Sequence, residues 1–190
     1  MIQSIRALTS LSASAEQALR PVIKQKIVSK GAALIKEGSL CQALYVVQTG
    51  MVRHYLNLDG EELTGCFSAE GDWVTATGFF NQRPSRETIV ALEDTTLLFI
   101  ARSDLLSLYD SHPDIERVGR LLAEWGITQL EELYFLVFTP GSALERYKRF
   151  AAKYGHILQR VPLHQIASFL RMNQSTLSRV RAKSNKREFY

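Results

Sequence analysis

Apolar and polar positions follow three successive patterns along the chain. Between residues 4 and 19, Ile5, Leu8, Leu11, Ala15, Ala18 and Leu19 recur at helical spacing, and Pro21 closes the pattern, which predicts one short amphipathic helix. From about 22 to 101, short apolar runs such as 43–47, 51–56, 89–92 and 95–100 alternate with glycines at 31, 38, 50, 60, 65, 71 and 78. Runs of that length with turn residues between them predict a compact antiparallel barrel or sandwich. Asn57-Leu58-Asp59-Gly60 reads as a hairpin turn, with Gly60 free to take positive φ.

After Arg102 the period becomes helical. Ser103 is placed to cap a short helix over Asp104–Tyr109. Pro113 then opens a long helix expected to reach Phe138, about 39 Å at 1.5 Å per residue. Its apolar set runs from Ile115 to Val137 and is too wide for a single buried face. One side is expected to cover the barrel and the other to meet the same helix of a second subunit. Gly119 and Gly126, two turns apart, would permit close backbone approach there.

Charge separates the same regions. Residues 1–138 hold 12 Lys/Arg against 17 Asp/Glu, a net −5, whereas residues 139–190 hold 11 against 2, a net +9. A folded segment of 52 residues carrying +9 is the electrostatic footprint of a polyanion binder. With 46% apolar residues the chain is too hydrophobic for intrinsic disorder, and no apolar run is long enough to span a bilayer. The first 14 residues lack the apolar core of a secretory signal, and two cysteines, Cys41 and Cys66, are too few for a disulfide scaffold. Both features fit a cytoplasmic protein without membrane partners. No catalytic motif and no metal-ligand spacing occurs, so neither an enzyme nor a metal protein is expected.

The basic segment carries the most specific pattern. Ser142 and Glu145 have capping-box spacing. Leu163–Leu170 and a second segment from Asn173 or Gln174 onward are two short helices joined by a turn. Ile166, Leu170, Met172, Leu177 and Val180 supply the apolar contacts, and Ala167 is the small residue at the crossing. This is the pattern of a helix-turn-helix. Arg171 stands where such turns usually carry glycine in a left-handed conformation, at a cost on the order of 1 kcal/mol.

Taken together, the chain resembles the Crp/Fnr family of bacterial transcription regulators. The resemblance rests on Gly31 and Gly38, the Tyr45-Val46-Val47-Gln48-Thr49-Gly50 run, Asp59-Gly60, Glu70-Gly71-Asp72-Trp73-Val74, Gly78-Phe79-Phe80, the long helix and the helix-turn-helix. It implies an α+β chain. Residues 1–112 would be a cyclic-nucleotide-binding-like antiparallel β-roll of the jelly-roll type, 113–138 a dimerisation helix, and 139–190 a helix-turn-helix DNA-binding domain. It further implies a homodimer in the cytoplasm acting on double-stranded DNA, with RNA polymerase as a further partner.

Transferred residue by residue, the resemblance predicts that the second helix enters the major groove. Arg179 suits a guanine edge and Gln174 an adenine edge, with Ser175 and Ser178 as shorter readers. Thr176, Arg181 and Lys183 suit phosphates, and His164 the backbone. The family's usual hairpin wing is reduced or missing, since only Ser184 to Tyr190 follow. The nucleotide cassette transfers poorly. The glutamate expected to hold a ribose hydroxyl is Ala76. Arg86 matches the phosphate arginine, but Glu87 follows it instead of a hydroxyl residue, so the two read as a surface charge pair. Cyclic AMP is therefore not the expected effector and no cofactor is assigned. Thr75, Thr77, Arg86 and Thr88 remain the candidate effector contacts. Haem would need His54 or Cys66 as an axial ligand, and a lone strand histidine is more often an ordinary partnered residue. The competing reading is a small-molecule-sensing module whose basic end binds a protein rather than DNA.

Overall fold

A computed structural model of the chain describes residues 1–76 and 78–187. The amino-terminal pattern forms two helices, α1 (Ile2–Arg6) and α2 (Ala13–Leu19), rather than one. The break falls where Ser12 caps α2, its Oγ accepting from Ala15 N at 3.2 Å. Ser12 N and Oγ also donate to Asp114 at 2.8 and 2.7 Å, so the polar linker is anchored to the long helix.

Eight strands follow: β1 (Lys24–Val28), β2 (Ala33–Ile35), β3 (Ala43–Thr49), β4 (Val52–Leu58), β5 (Glu61–Ser68), β6 (Trp73–Val74), β7 (Thr88–Ala91) and β8 (Thr95–Ala101). They make two antiparallel four-stranded sheets, β1-β8-β3-β6 and β2-β7-β4-β5, a jelly-roll-like sandwich whose core includes Val46, Val52, Ile89, Leu97 and Ile100. The β4–β5 hairpin closes through Asp59 (φ 53°) and Gly60 (φ 89°), the pair of positive φ values that a two-residue turn with the right twist requires. A bulge at Gly65 shifts the β4–β5 register between His54 and Tyr55.

The helical remainder comprises α3 (Arg102–Tyr109), α4 (Pro113–Phe138), α5 (Ala143–Tyr154), α6 (Leu163–Phe169) and α7 (Gln174–Arg187). α3 starts two residues earlier than expected, so Ser103 lies within the helix and makes no cap. α4 has the expected limits, and its first half buries Ile115, Val118, Gly119 and Leu122. Gly119 is needed inside the subunit, since a Cβ there would lie 2.0 Å from Tyr109 Oη. Gly126 faces open space.

The carboxy-terminal helices do not stand apart from the strands. Met51, Phe67 and Ala69 on the outer face of the second sheet share one core with Leu136, Tyr147, Phe150, Tyr154, Ile166, Phe169, Leu177 and Val180. Phe67 meets the rings of Phe150, Tyr154 and Phe169 at 6.2, 5.9 and 6.0 Å between centroids. Arg160, on the segment joining α5 to α6, pairs with Glu70 at 2.8 Å and with Glu93.

Candidate nucleic-acid interface

α5 begins at a complete capping box. Ser142 Oγ accepts from Glu145 N at 3.3 Å while Ser142 N donates to Glu145 Oε2 at 2.7 Å. α5 thus starts at a fixed point and brings Tyr147, Phe150 and Tyr154 into the core, against which α6 and α7 pack. α6 buries Ile166, Ala167 and Phe169. The connecting turn passes through Arg171 at φ 52°, the left-handed conformation expected at that position. Asn173 then caps α7, its Oδ1 accepting from Thr176 N and from Ser175 Oγ, both at 2.8 Å.

Leu177 and Val180 turn inward, and this sets the outward face of α7. Gln174, Ser175, Ser178, Arg179 and Lys183 are exposed, and Thr176 and Arg181 are half-buried. Arg179 Nη2 rests 3.3 Å from Thr176 Oγ1, a light tether that leaves most of the guanidinium donors open. His164 is exposed at the start of α6. α7 continues through Ser184 to Arg187, and residues 188–190 of the stretch where the wing is expected to be reduced or missing lie outside the described residues. The side chains gathered here donate to anions and match base edges, and an exposed helix of this diameter fits a major groove.

The candidate effector contacts among the strands are differently placed. Arg86 is exposed. Thr75 Oγ1 lies 3.4 Å from Cys41 Sγ, and Thr88 Oγ1 accepts from Glu37 N at 3.1 Å. Thr77 lies outside the described residues. Glu87 is not the surface group expected beside Arg86. Its side chain is 18% exposed and Oε2 lies 3.3 Å from Nδ1 of buried His54. His54 Nε2 is 3.4 Å from Ser68 Oγ, and β-sheet register sets Cys66 directly across from it. Burial alone would strip the imidazole of its proton. Cys66 and Glu87 together outweigh that penalty and raise the His54 pKa well above its ordinary value. His54 is thus a partnered interior group. Ala76 is 1% exposed and offers no side-chain acceptor, and Glu87 is turned toward His54.

The polar ties between strands and helices were not readable from the sequence, because they join residues about a hundred positions apart. Arg160 holds the Glu70 carboxyl down to about 2. Ser168 and Arg171 reach the backbone of β5. Only the unusual arginine at a glycine position gave a local signal.

Residues 25–112 match the family profile of the cyclic nucleotide-binding domain. The chain is 27% identical over 163 residues, 83% of its length, to the Cyclic AMP receptor protein of Thermus thermophilus, of which 74% is covered. Its fold is similar to that of FixK2 from Bradyrhizobium japonicum, with a TM-score of 0.74 at 22% identity over 88% of this chain and 86% of that one. The Catabolite Activator Protein of Thermus thermophilus shares 25% identity at a TM-score of 0.55 over 94% of this chain and 86% of that one. By profile and by topology, the strand-rich part of this chain is a cyclic nucleotide-binding fold.

Proposed function

We propose that this protein is a homodimeric, sequence-specific DNA-binding transcription regulator of the Crp/Fnr type, in which α6 and α7 are the helix-turn-helix. Its sensor has the cyclic-nucleotide-binding fold without the polar groups that hold a cyclic nucleotide. The observation that carries the reading is the exposed face of α7, where Gln174, Ser175, Ser178 and Arg179 project from a segment of net charge +9. Relatives named as a catabolite activator and a cyclic AMP receptor protein support the same role.

A second copy has a place to bind. In the latter half of α4, Ile127, Leu130, Tyr134, Phe135 and Phe138 are 57–68% exposed, an apolar stripe that water does not favour. Pairing of α4 with its copy covers that stripe and sets two α7 helices one helical turn of DNA apart, roughly 34–36 Å. A Leu130→Glu variant is then monomeric in sedimentation.

The test of DNA binding is a titration of duplex DNA at several salt concentrations. Binding weakens steeply with salt, because each phosphate neutralised releases counterions. A slope near zero, or binding unaltered by Arg179→Ala, contradicts the proposal.

A further inference from the structure

β5 is an edge strand, so one side of its backbone has no neighbouring strand. The end of α6 takes that place. Ser168 Oγ accepts from Thr64 N at 3.0 Å and donates to Glu62 O at 2.9 Å. Arg171 Nη1 donates to Thr64 O at 3.2 Å and to Ser168 O at 2.7 Å. Two side chains of the helical head thus bond to four backbone groups: Glu62 O, Thr64 N and Thr64 O of the sensor and Ser168 O of the head itself.

Arg171 does this from a strained position. At φ 52° an L-residue is penalised and glycine is not. A turn that only had to connect α6 to α7 would be served better by glycine. Strain kept at one residue points to a task for its side chain, and the contact that side chain makes across the junction is with Thr64.

The rest of the junction, the core around Phe67 and the Arg160 pairs with Glu70 and Glu93, joins head and strands but leaves polar atoms unpaired. Arg53 Nε, Thr64 Oγ1 and Gln165 Oε1 are buried there without hydrogen-bond partners. Arg53 and Thr64 lie on the same outer face of the sheet as Phe67. Opening the junction would rehydrate these atoms, which offsets part of the apolar contact. The core and the Arg160 pairs supply most of the adhesion, and the tie at Thr64 adds a directional contact at the edge of β5.

Building on the DNA-binding reading above, we propose that Ser168 and Arg171 are positioning residues. They fasten the reading head to the edge of β5 and fix the angle at which the sensor presents α7. β5 and α7 then move together, and in a dimer the two heads keep one separation. Discrimination between half-site spacings follows from that rigidity.

The experiment uses the full chain and the duplex it selects from random sequence, compared with duplexes whose half-site spacing is one base pair longer or shorter. Arg171→Gly is the chief variant, because it relaxes the backbone while removing the tie. Ser168→Ala is the second. Each keeps its affinity for a single half-site and loses about threefold to tenfold of the spacing discrimination, the worth of a removed hydrogen bond. Hydrogen exchange at the Thr64 amide accelerates by a similar factor in Ser168→Ala. Unchanged spacing discrimination in Arg171→Gly overturns the proposal, as does unchanged Thr64 exchange in Ser168→Ala. If the wild-type chain binds no DNA, the functional reading fails, and Thr64 exchange alone decides whether the tie exists.

Discussion

The sensor sheets and the helical head treat their polar side chains in opposite ways. On the head, Gln174, Ser175, Ser178 and Arg179 are exposed, held in place by the buried Leu177 and Val180 on the opposite side of the same helix. Among the strands, Ala76 is apolar and Glu87 and Thr88 are engaged with His54 and Glu37, while Arg86 alone of these candidates is exposed. The chain shares a fold with nucleotide-binding proteins, but a fold does not carry a ligand by itself. What a site can bind is set by which donors and acceptors still lack partners.

The largest test of this contrast asks whether head and sensor are separate bodies. Phe67 belongs to β5 yet is 4% exposed among Phe150, Tyr154 and Phe169. Phe67→Ala should cost about 3–5 kcal/mol, read by denaturant unfolding. The loss should register in the head as well as in the sensor. A head that melts unchanged would mean that the shared core is not energetically real.

Next comes the reading face itself. Arg179→Ala should leave stability within about 0.5 kcal/mol, since the residue is exposed, and weaken specific DNA binding by about 1–3 kcal/mol. Denaturation and binding titrations on the same sample separate the two effects. In the sensor, calorimetry with cyclic AMP should give no binding heat, because Ala76 and Glu87 remove the contacts that ribose and phosphate require.

A smaller effect concerns pH. The Arg160 guanidinium is the main cause that depresses the Glu70 carboxyl, from about 4.5 when unfolded to about 2 in the fold. A lowered folded pKa stabilises the fold above the unfolded value and loses that contribution as the pH falls toward the folded one. The stability difference between the wild type and Arg160→Gln should therefore shrink between about pH 4.5 and 2. Both groups are partly exposed, so the difference is at most about 1 kcal/mol.

The smallest expected effect separates two glycines. In the monomeric Leu130→Glu background, Gly126→Ala meets nothing within 4 Å and should raise helix stability by roughly 0.5–1 kcal/mol. Gly119→Ala drives a methyl group into Tyr109 and destabilises the chain. Thermal unfolding of the two variants should move in opposite directions.

The sequence made some of this legible and hid the rest for a physical reason. Signals that act over a few residues were readable. Pro113 opens α4, Ser142 and Glu145 cap α5, and the inward Leu177 and Val180 fix the outward face of α7. The turn at Arg171 has the left-handed backbone its position implied. Signals that depend on distant partners were not readable. The periodicity of residues 4–19 gave no sign that Ser12 would bond to Asp114, 102 positions away, and divide the helix. Gly119 suited a partner helix equally well until Tyr109 occupied its space. Glu87 looked like a surface charge until His54 was found opposite it.

The most direct test of the central claim is selection of bound sequences from random duplex DNA by the full chain. The account predicts a two-fold symmetric consensus with half-sites about 10–10.5 base pairs apart, whose base preference changes in Gln174→Ala and Arg179→Ala. Failure to enrich any sequence, or enrichment that both variants leave intact, would contradict it.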